Sequence, residues 1–295
     1  MQYGGAFRES LAADGLLVAP GVHDPLSARV ADHVGFEAVA MTGNGTSVAR
    51  LGRPDVGLIT LPEMVENANR IQETVDVPII ADADTGYGNA INVTRTVREF
   101  AKAGVGAIHL EDQRFPKRCG FLEGKQVISR EKAVGKIRAA AETRDAIGTE
   151  LVVIARTDAR GAPGGTLESA IDRATAYCEA GADVAFVQGT ETADELERVA
   201  EAVDAPLLYN CSGGSPIISL DRAAELGYDI AMFPRISTNA TIAALFDAYA
   251  GLAEAGMDGW RDVKPLLEDC PIEDYDTFTG VPEILELEDR YLPAE

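Results

Sequence analysis

Positive charge is scarce in this chain. Only six of its 26 basic residues are lysine, against 48 acidic residues, and the net charge is −22. Such a balance argues against nucleic acid or an anionic membrane as partner, because either would be repelled. The expected partner is a small molecule. The acidic residues are spread along the chain rather than gathered in a tail, so the surface resembles that of a salt-adapted (halophilic) protein whose stability rises with ionic strength. Long hydrophobic runs are missing too: no stretch approaches the roughly twenty apolar residues of a membrane span. The segment from Met1 to Ser10 lacks the charged start and apolar block of a signal peptide. A cytoplasmic, soluble protein is expected. Cysteine is sparse, at Cys119, Cys178, Cys211 and Cys270, with no CxxC pair, which gives a zinc site or a disulfide framework little support and fits a reducing compartment. Cys178 sits in a helical run and reads as core filling.

What is present is a rhythm. Eight short apolar runs, at 15–20, 38–42, 77–82, 106–111, 151–156, 184–187, 206–210 and 230–233, alternate with segments of helical spacing such as 61–74, 93–103, 130–147, 167–180, 192–203 and 220–226. The runs are continuous rather than alternating, as strands covered on both faces should be, so the sheet is expected to be parallel. Several helical segments end in glycine (Gly104, Gly181, Gly227), the usual exit from an α-helix. Eight such units in 295 residues predict an α/β fold, a (β/α)8 TIM barrel in one domain with additional C-terminal helices over 258–295. A doubly wound open sheet is the competitor, but no GxGxxG follows the first strand. The apolar series Val281, Ile284, Leu285, Leu287 predicts burial of the tail, either closing the bottom of the barrel or docking on a neighbouring subunit.

Barrel enzymes work at the carboxyl ends of their strands. There this chain places Thr42-Gly43-Asn44-Gly45, Asp82 and Asp84, Glu111 and Asp112, Arg156 and Asp158, Gln188, Asn210 and Ser212, then Arg235. Asp82 and Asp84, two apart, would face one side in regular strand geometry, and with Glu111 they form a hard-oxygen set suited to Mg²⁺. The competing reading is that these acids cap helices or pair with Arg95 or Arg98. Lys117-Arg118-Cys119-Gly120 puts a thiol between cations and a glycine, an environment that stabilises a thiolate and admits an anion close to the backbone. Arg156, ending an apolar strand, either pairs with Asp158 or holds a substrate carboxylate; the company it keeps favours the second. His109 reads as an outer-shell residue at most.

These residues carry a family resemblance. Asp82-Ala83-Asp84-Thr85-Gly86-Tyr87-Gly88-Asn89, then Glu111-Asp112-Gln113, Lys117-Arg118-Cys119-Gly120 and Arg156-Thr157-Asp158, in this order, resemble the isocitrate lyase and phosphoenolpyruvate mutase superfamily, and the Lys-Arg-Cys-Gly loop resembles its lyase branch. The resemblance implies a carbon–carbon lyase that cleaves isocitrate or 2-methylisocitrate to succinate plus glyoxylate or pyruvate. It implies Mg²⁺ (or Mn²⁺) at Asp82, Asp84 and Glu111, and a pocket shaped by Thr42, Gly43, Asn44 and Asp55. Cys119 would be the proton donor, with Lys117 and Arg118 balancing the charge of its loop, while Gly120, Arg156, Asn210 and Ser212 would stabilise a second carboxylate. The substrate would be a di- or tricarboxylic acid and the assembly a homotetramer with exchanged terminal helices. Two departures stand out: Phe121 where lyases have histidine, and Gln188 where they have glutamate. Both favour the alternatives, a dimethylmalate-type lyase or an oxaloacetate hydrolase or decarboxylase. A barrel without catalysis, serving as a binding protein, is the remaining alternative.

Overall fold

A computed structural model describes residues 3–120, 122–263, 270–272 and 274–293. Eight parallel strands, β1 (Leu17–Val22), β2 (Val39–Met41), β3 (Ile79–Asp82), β4 (Ala107–Glu111), β5 (Val152–Thr157), β6 (Val184–Val187), β7 (Leu208–Asn210) and β8 (Ile230–Phe233), form one sheet in the order β6-β5-β4-β3-β2-β1-β8-β7. A parallel bridge from Ala185 of β6 to Leu207, just before β7, brings the two ends of the sheet together. The result is the expected TIM barrel, with every strand where the apolar runs put it.

Parity along the strands decides which side chains face the interior. The inner core holds Ala38 and Ala40, Ile80, Ala107, Val152 and Ile154, Val184 and Phe186, Leu208, Ile230 and Met232. Their alternate neighbours, such as Ile79, Ala81, Ile108, Leu110, Val153 and Ala155, pack outward against helices. Continuing each inward series by two brings Thr42, Asp82, His109, Glu111, Arg156, Gln188 and Asn210 to the carboxyl end of the barrel. The sequence therefore builds an apolar plug below and a polar layer above.

The helices are α1 (Gly4–Ala12), α2 (Pro25–Val34), α3 (Gly43–Leu51), α4 (Leu61–Gln72), α5 (Ala90–Lys102), α6 (Arg130–Ala146), α7 (Leu167–Glu179), α8 (Ala193–Ala202) and α9 (Leu220–Glu225). Side-chain caps begin several of them: Asn89 accepts from the Asn92 and Ile91 amides, and Thr166 accepts from Ser169. The opposite end of the barrel is closed by α1. Phe7 is fully buried in the inner core, and Arg8 donates to Asp183 at 2.9 Å and to the Glu150 carbonyl at 2.9 Å.

The chain divides into two compact units at Thr238 and Asn239, earlier than the expected tail boundary at 258. Helix α10 (Ile236–Ala255) runs through that division, and the second unit continues with α11 (Met257–Val263), α12 (Tyr275–Thr279) and α13 (Val281–Tyr291). The remainder of the expected 260–268 helix, residues 264–269, lies outside the described residues. The apolar tail series is not buried in the single chain. Ile284 and Leu285 are 55% and 53% exposed, and Val281 and Leu287 are exposed as well. Among the described residues, no helix is long and apolar enough to cross a membrane.

Candidate active site

The acid cluster forms at the ends of β3 and β4. Asp82 closes β3, but Asp84 is not in strand geometry: its φ is +48°, and Tyr87 follows at +57°, left-handed values uncommon outside glycine. A strained turn, rather than strand alternation, therefore aims the second carboxylate, and such strain concentrates at functional sites. The turn is held by the Asp84 amide donating to Asp82 Oδ1 at 2.8 Å, and the Gly43 amide donates to Asp82 Oδ2 at 2.9 Å. Only glycine fits at 43, since a Cβ there would stand 2.6 Å from Asp82 Oδ2. The acids neither cap α5, whose cap is Asn89, nor pair with Arg95 or Arg98 among the described contacts.

Lys117 reaches into this cluster rather than toward the thiol beside it in sequence. Its ammonium is 2.6 Å from Asp55 Oδ1 and 2.5 Å from Asp84 Oδ1, with the side chain 2% exposed. Glu111, also buried, takes one arm of Arg156 (Nη1 to Oε2, 3.2 Å), while its Oε1 has no hydrogen-bond partner among the described residues. Negative charge outnumbers positive here, and the pKa values respond. Burial, with Asp82 and Asp55 close by, raises Asp84 to about 7 despite Lys117. Burial raises Glu111 well above the usual carboxylate range although Arg156 opposes it. Asp82 goes the other way. Burial would raise it, but His109, Lys117, Arg156 and the Asp84 amide together hold it at about 2.

A crowd of buried carboxylates with an orphaned oxygen is a donor set for a hard divalent cation. Among the described residues no three carboxylate, histidine or cysteine side chains come close enough to cage an ion by themselves. Mg²⁺ keeps several waters and takes one or two carboxylates directly. A Mg²⁺ ion bound here would be held by Asp82, Asp84 and Glu111, directly or through water.

The thiol loop runs from Gln113 to Val127, which pair as an antiparallel bridge at its base. Gln113 clasps the loop from inside: its side chain accepts from the Arg118 amide at 2.9 Å and donates to the Arg118 carbonyl at 2.8 Å. The Cys119 amide donates to the Asp55 carbonyl at 3.0 Å. Cys119 and Gly120 then line a cavity at the barrel mouth together with Thr42, Asn44, Asp55, Asp82, Arg156, Gln188 and Asn210, all expected from the sequence. The atom-free space is about 440 Å³ when the open mouth is counted, but only about 40 Å³ of it admits the centre of a water-sized sphere, so the cavity is narrow. Gly120 is needed for this closeness, since a Cβ would stand 2.5 Å from Arg156 Nη2 and 3.1 Å from Gln188 Cδ.

Arg156 makes the local pair with Asp158 that was one of its two readings. It is bidentate to Asp158, with Nε and Nη2 each 2.9 Å from a carboxylate oxygen, and lies over the Phe186 ring at 5.2 Å. Its guanidinium still faces the cavity. Gln188 accepts from Asn210 Nδ2 at 2.8 Å, which makes that wall a neutral amide pair.

Several placements differ from expectation. The Arg118 guanidinium is exposed and donates to the Glu123 carbonyl at 2.7 Å, so it lies outside the cavity wall; the chain turns it outward while its neighbour turns in. Asp112 faces the helices, as its parity requires, and is satisfied by Thr157, Tyr177, Arg173 and the Asp158 amide; it is no part of the oxygen set. Ser212 Oγ is buried without a hydrogen-bond partner among the described residues but does not line the cavity, and Gly43, Asp84, Glu111 and Lys117 stand behind its wall. Phe121 lies outside the described residues. His109, which the sequence reading set aside, lines the cavity 3.6 Å from Asp82 Oδ1, and burial lowers its pKa. It sits two residues before Glu111, the inward placement that alternation along β4 gives when the strand carries no bulge. Arg235 also lines the cavity, and among the described residues its guanidinium has no hydrogen-bond or ion-pair partner.

An α/β barrel with a polar mouth, a buried acid cluster and a thiol loop has the form of a barrel enzyme with its site at the carboxyl ends of the strands. The chain belongs to the phosphoenolpyruvate mutase/isocitrate lyase superfamily. The family model described as phosphoenolpyruvate phosphomutase matches residues 7–253. The 2,3-dimethylmalate lyase of Eubacterium barkeri is 42% identical over 286 residues, 96% of each chain. A 2-methylisocitrate lyase of Aeropyrum pernix is 43% identical over 251 residues, 84% of this chain and 79% of that one. An isocitrate lyase of Haloferax volcanii is 35% identical, covering 97% of this chain and 86% of its own. Among solved structures, a 2,3-dimethylmalate lyase gives a TM-score of 0.88 at 37% identity, covering 100% of this chain and 97% of that one. Oxaloacetate acetylhydrolase with 3,3-difluorooxalacetate gives 0.87 at 34%, covering 97% and 96%. Phosphonopyruvate hydrolase with oxalate and Mg²⁺ gives 0.82 at 28%, covering 99% and 100%. This chain is thus an enzyme whose relatives include carbon–carbon lyases.

Proposed function

We propose that the protein is a Mg²⁺-dependent lyase that splits a substituted malate between the hydroxyl-bearing carbon and its neighbour, with Cys119 as proton donor. The observation that carries this reading is the meeting of the thiol with two of the buried acids on one small cavity, with Cys119, Asp55, Asp82 and Arg156 all in its wall. A bound Mg²⁺ would supply Lewis-acid stabilisation of the oxyanion formed as the hydroxyl loses its proton. The chain's own groups do the rest. Asp82, ionised and fixed by two backbone amides, orients that end of the site. Arg156, locked by Asp158, presents a positive face to the carboxylate into which the carbanion delocalises, without a reorganisation cost at the moment of bond breaking. The thiol gives its proton to the carbanion, and the docked loop keeps water from doing so first.

The substrate we favour is of the 2,3-dimethylmalate type, split to pyruvate and propionate. Full-length similarity to a lyase of that name and the neutral Gln188–Asn210 wall support it. 2-Methylisocitrate and isocitrate come next; the unpartnered Arg235 at the rim favours them, because each adds a carboxylate. The resemblance to oxaloacetate acetylhydrolase supports a hydrolytic reading of the same cavity. Incubation of each acid with enzyme and Mg²⁺ decides: keto-acid release from dimethylmalate is the expected result. Oxalate and acetate from oxaloacetate, with no keto acid from any malate, would replace the lyase reading. The uncovered apolar faces of α10 and α13, with Phe246 at 71% and Ile284 at 55% exposure, support assembly with further copies of the chain, a tetramer by family likeness.

A further inference from the structure

The thiol loop is fastened by two buried ammonium groups, and the acid cluster accounts for only one of them. Lys117 serves Asp55 and Asp84. The other, Lys125, is 4% exposed, although a lysine is rarely buried unless its charge is met. Its Nζ donates to the Gly120 carbonyl at 2.5 Å and lies 3.5 Å from Asp158 Oδ1. Asp158, fully buried, is the same carboxylate that grips Arg156 through two bonds. The ammonium fills a slot kept open by Gly161, where a Cβ would stand 2.9 Å from Nζ.

We propose that Lys125 is a positioning residue that latches the thiol loop to the end of β5, so that the Gly120 carbonyl, through the Lys125 ammonium, and the Arg156 guanidinium are tied to one shared ion, Asp158. The loop closes on itself through the Gly120 carbonyl and on the barrel through Asp158. With the lysine gone, that carbonyl loses its donor and Asp158 loses one of its two cations, so the docked loop becomes the less favoured state. Lys125 does not face the cavity, and its role is to fix where Cys119 stands. The inference rests on the reading of Cys119 as the proton donor only for its catalytic meaning; the fastening itself is measured without turnover.

The experiment is the rate of Cys119 alkylation by iodoacetamide, read by peptide mass spectrometry with Cys178 and Cys211 as internal references. In Lys125→Met, Cys119 should react about tenfold faster or more while the references keep their wild-type rates, the change expected for losing one buried, charged hydrogen bond. Gly161→Ala, which presses on Nζ without altering lysine or loop, should raise the rate in the same direction by less. A Cys119 rate within twofold of wild type in both variants would overturn the latch. So would a parallel rise at all three cysteines, which would make Lys125 a general stability residue. Lyase assays on the same samples keep the two questions apart, since the latch can hold in a protein that cleaves no malate.

Discussion

Replacing Lys117 by methionine should destabilise the barrel by an amount that depends steeply on pH. The side chain is 2% exposed and its ammonium meets Asp55 and Asp84 at 2.6 and 2.5 Å. Methionine keeps most of the volume and removes the charge, leaving two buried carboxylates without their nearest cation. Breaking a buried pair in this way costs about 3–5 kcal/mol. The carboxylates can escape by binding protons. An acid whose folded pKa lies above its unfolded value binds protons preferentially when folded, so its contribution falls as pH rises from the unfolded value toward the folded one. For Asp84 that window runs in the wild type from 3.8 to about 7, and losing Lys117 extends it upward. At pH 5 Asp84 is protonated in both proteins and the variant should lose only about 1–2 kcal/mol. At pH 8 the full 3–5 kcal/mol should appear, which for a domain of this size is a drop of about 6–20 °C in Tm. Urea unfolding of EDTA-treated protein at the two pH values measures the difference. Equal losses at pH 5 and pH 8, or losses below about 1 kcal/mol at both, would refute the placement of Lys117 among unneutralised acids.

Gly120→Ala should lower kcat by about tenfold or more with little change in Tm, because the added Cβ meets Arg156 Nη2 at 2.5 Å and must push the loop or the guanidinium aside. Steady-state kinetics and a melting curve check both halves, and an unchanged kcat would mean that the close approach is dispensable. Raising KCl from 0.1 to 3 M should raise Tm by several degrees, about 5 °C or more, as self-repulsion from a net charge of −22 is screened. A flat or falling Tm in differential scanning fluorimetry would count against salt adaptation.

The barrel was legible because its signals are local and repeated. Each strand is a short apolar run, and glycines such as Gly104 and Gly181 end the helices between them. Helix α3 was not legible: Gly43-Asn44-Gly45 reads as a loop, and only Thr42, accepting from the Gly45 amide at 3.0 Å, reveals a helix start. The site divides the same way. Asp82, Glu111, Arg156, Gln188 and Asn210 reach the mouth by strand parity, which a sequence carries, and the same parity turns Asp112 away and brings His109 in. What parity cannot carry is the path of the Gln113–Val127 excursion. Nothing in Lys117-Arg118-Cys119 says that one cation turns into the acid cluster and the next into solvent, because that depends on contacts with Asp55 and Gln113 that are distant in sequence or specific to the folded loop. Lys125 was invisible for the same reason, its partner Asp158 lying on another strand end. The Arg156–Asp158 pair is legible too, because two residues of equal parity at one strand end meet readily.

The most direct test of the account is a comparison of wild type with Cys119→Ser, following cleavage of 2,3-dimethylmalate and, separately, oxalate binding, both with Mg²⁺ present. The account predicts that serine, a far weaker acid of nearly the same shape, reduces keto-acid release by about a thousandfold or more while oxalate binds within a few-fold of wild type. Turnover of the serine variant at close to the wild-type rate would contradict the central claim.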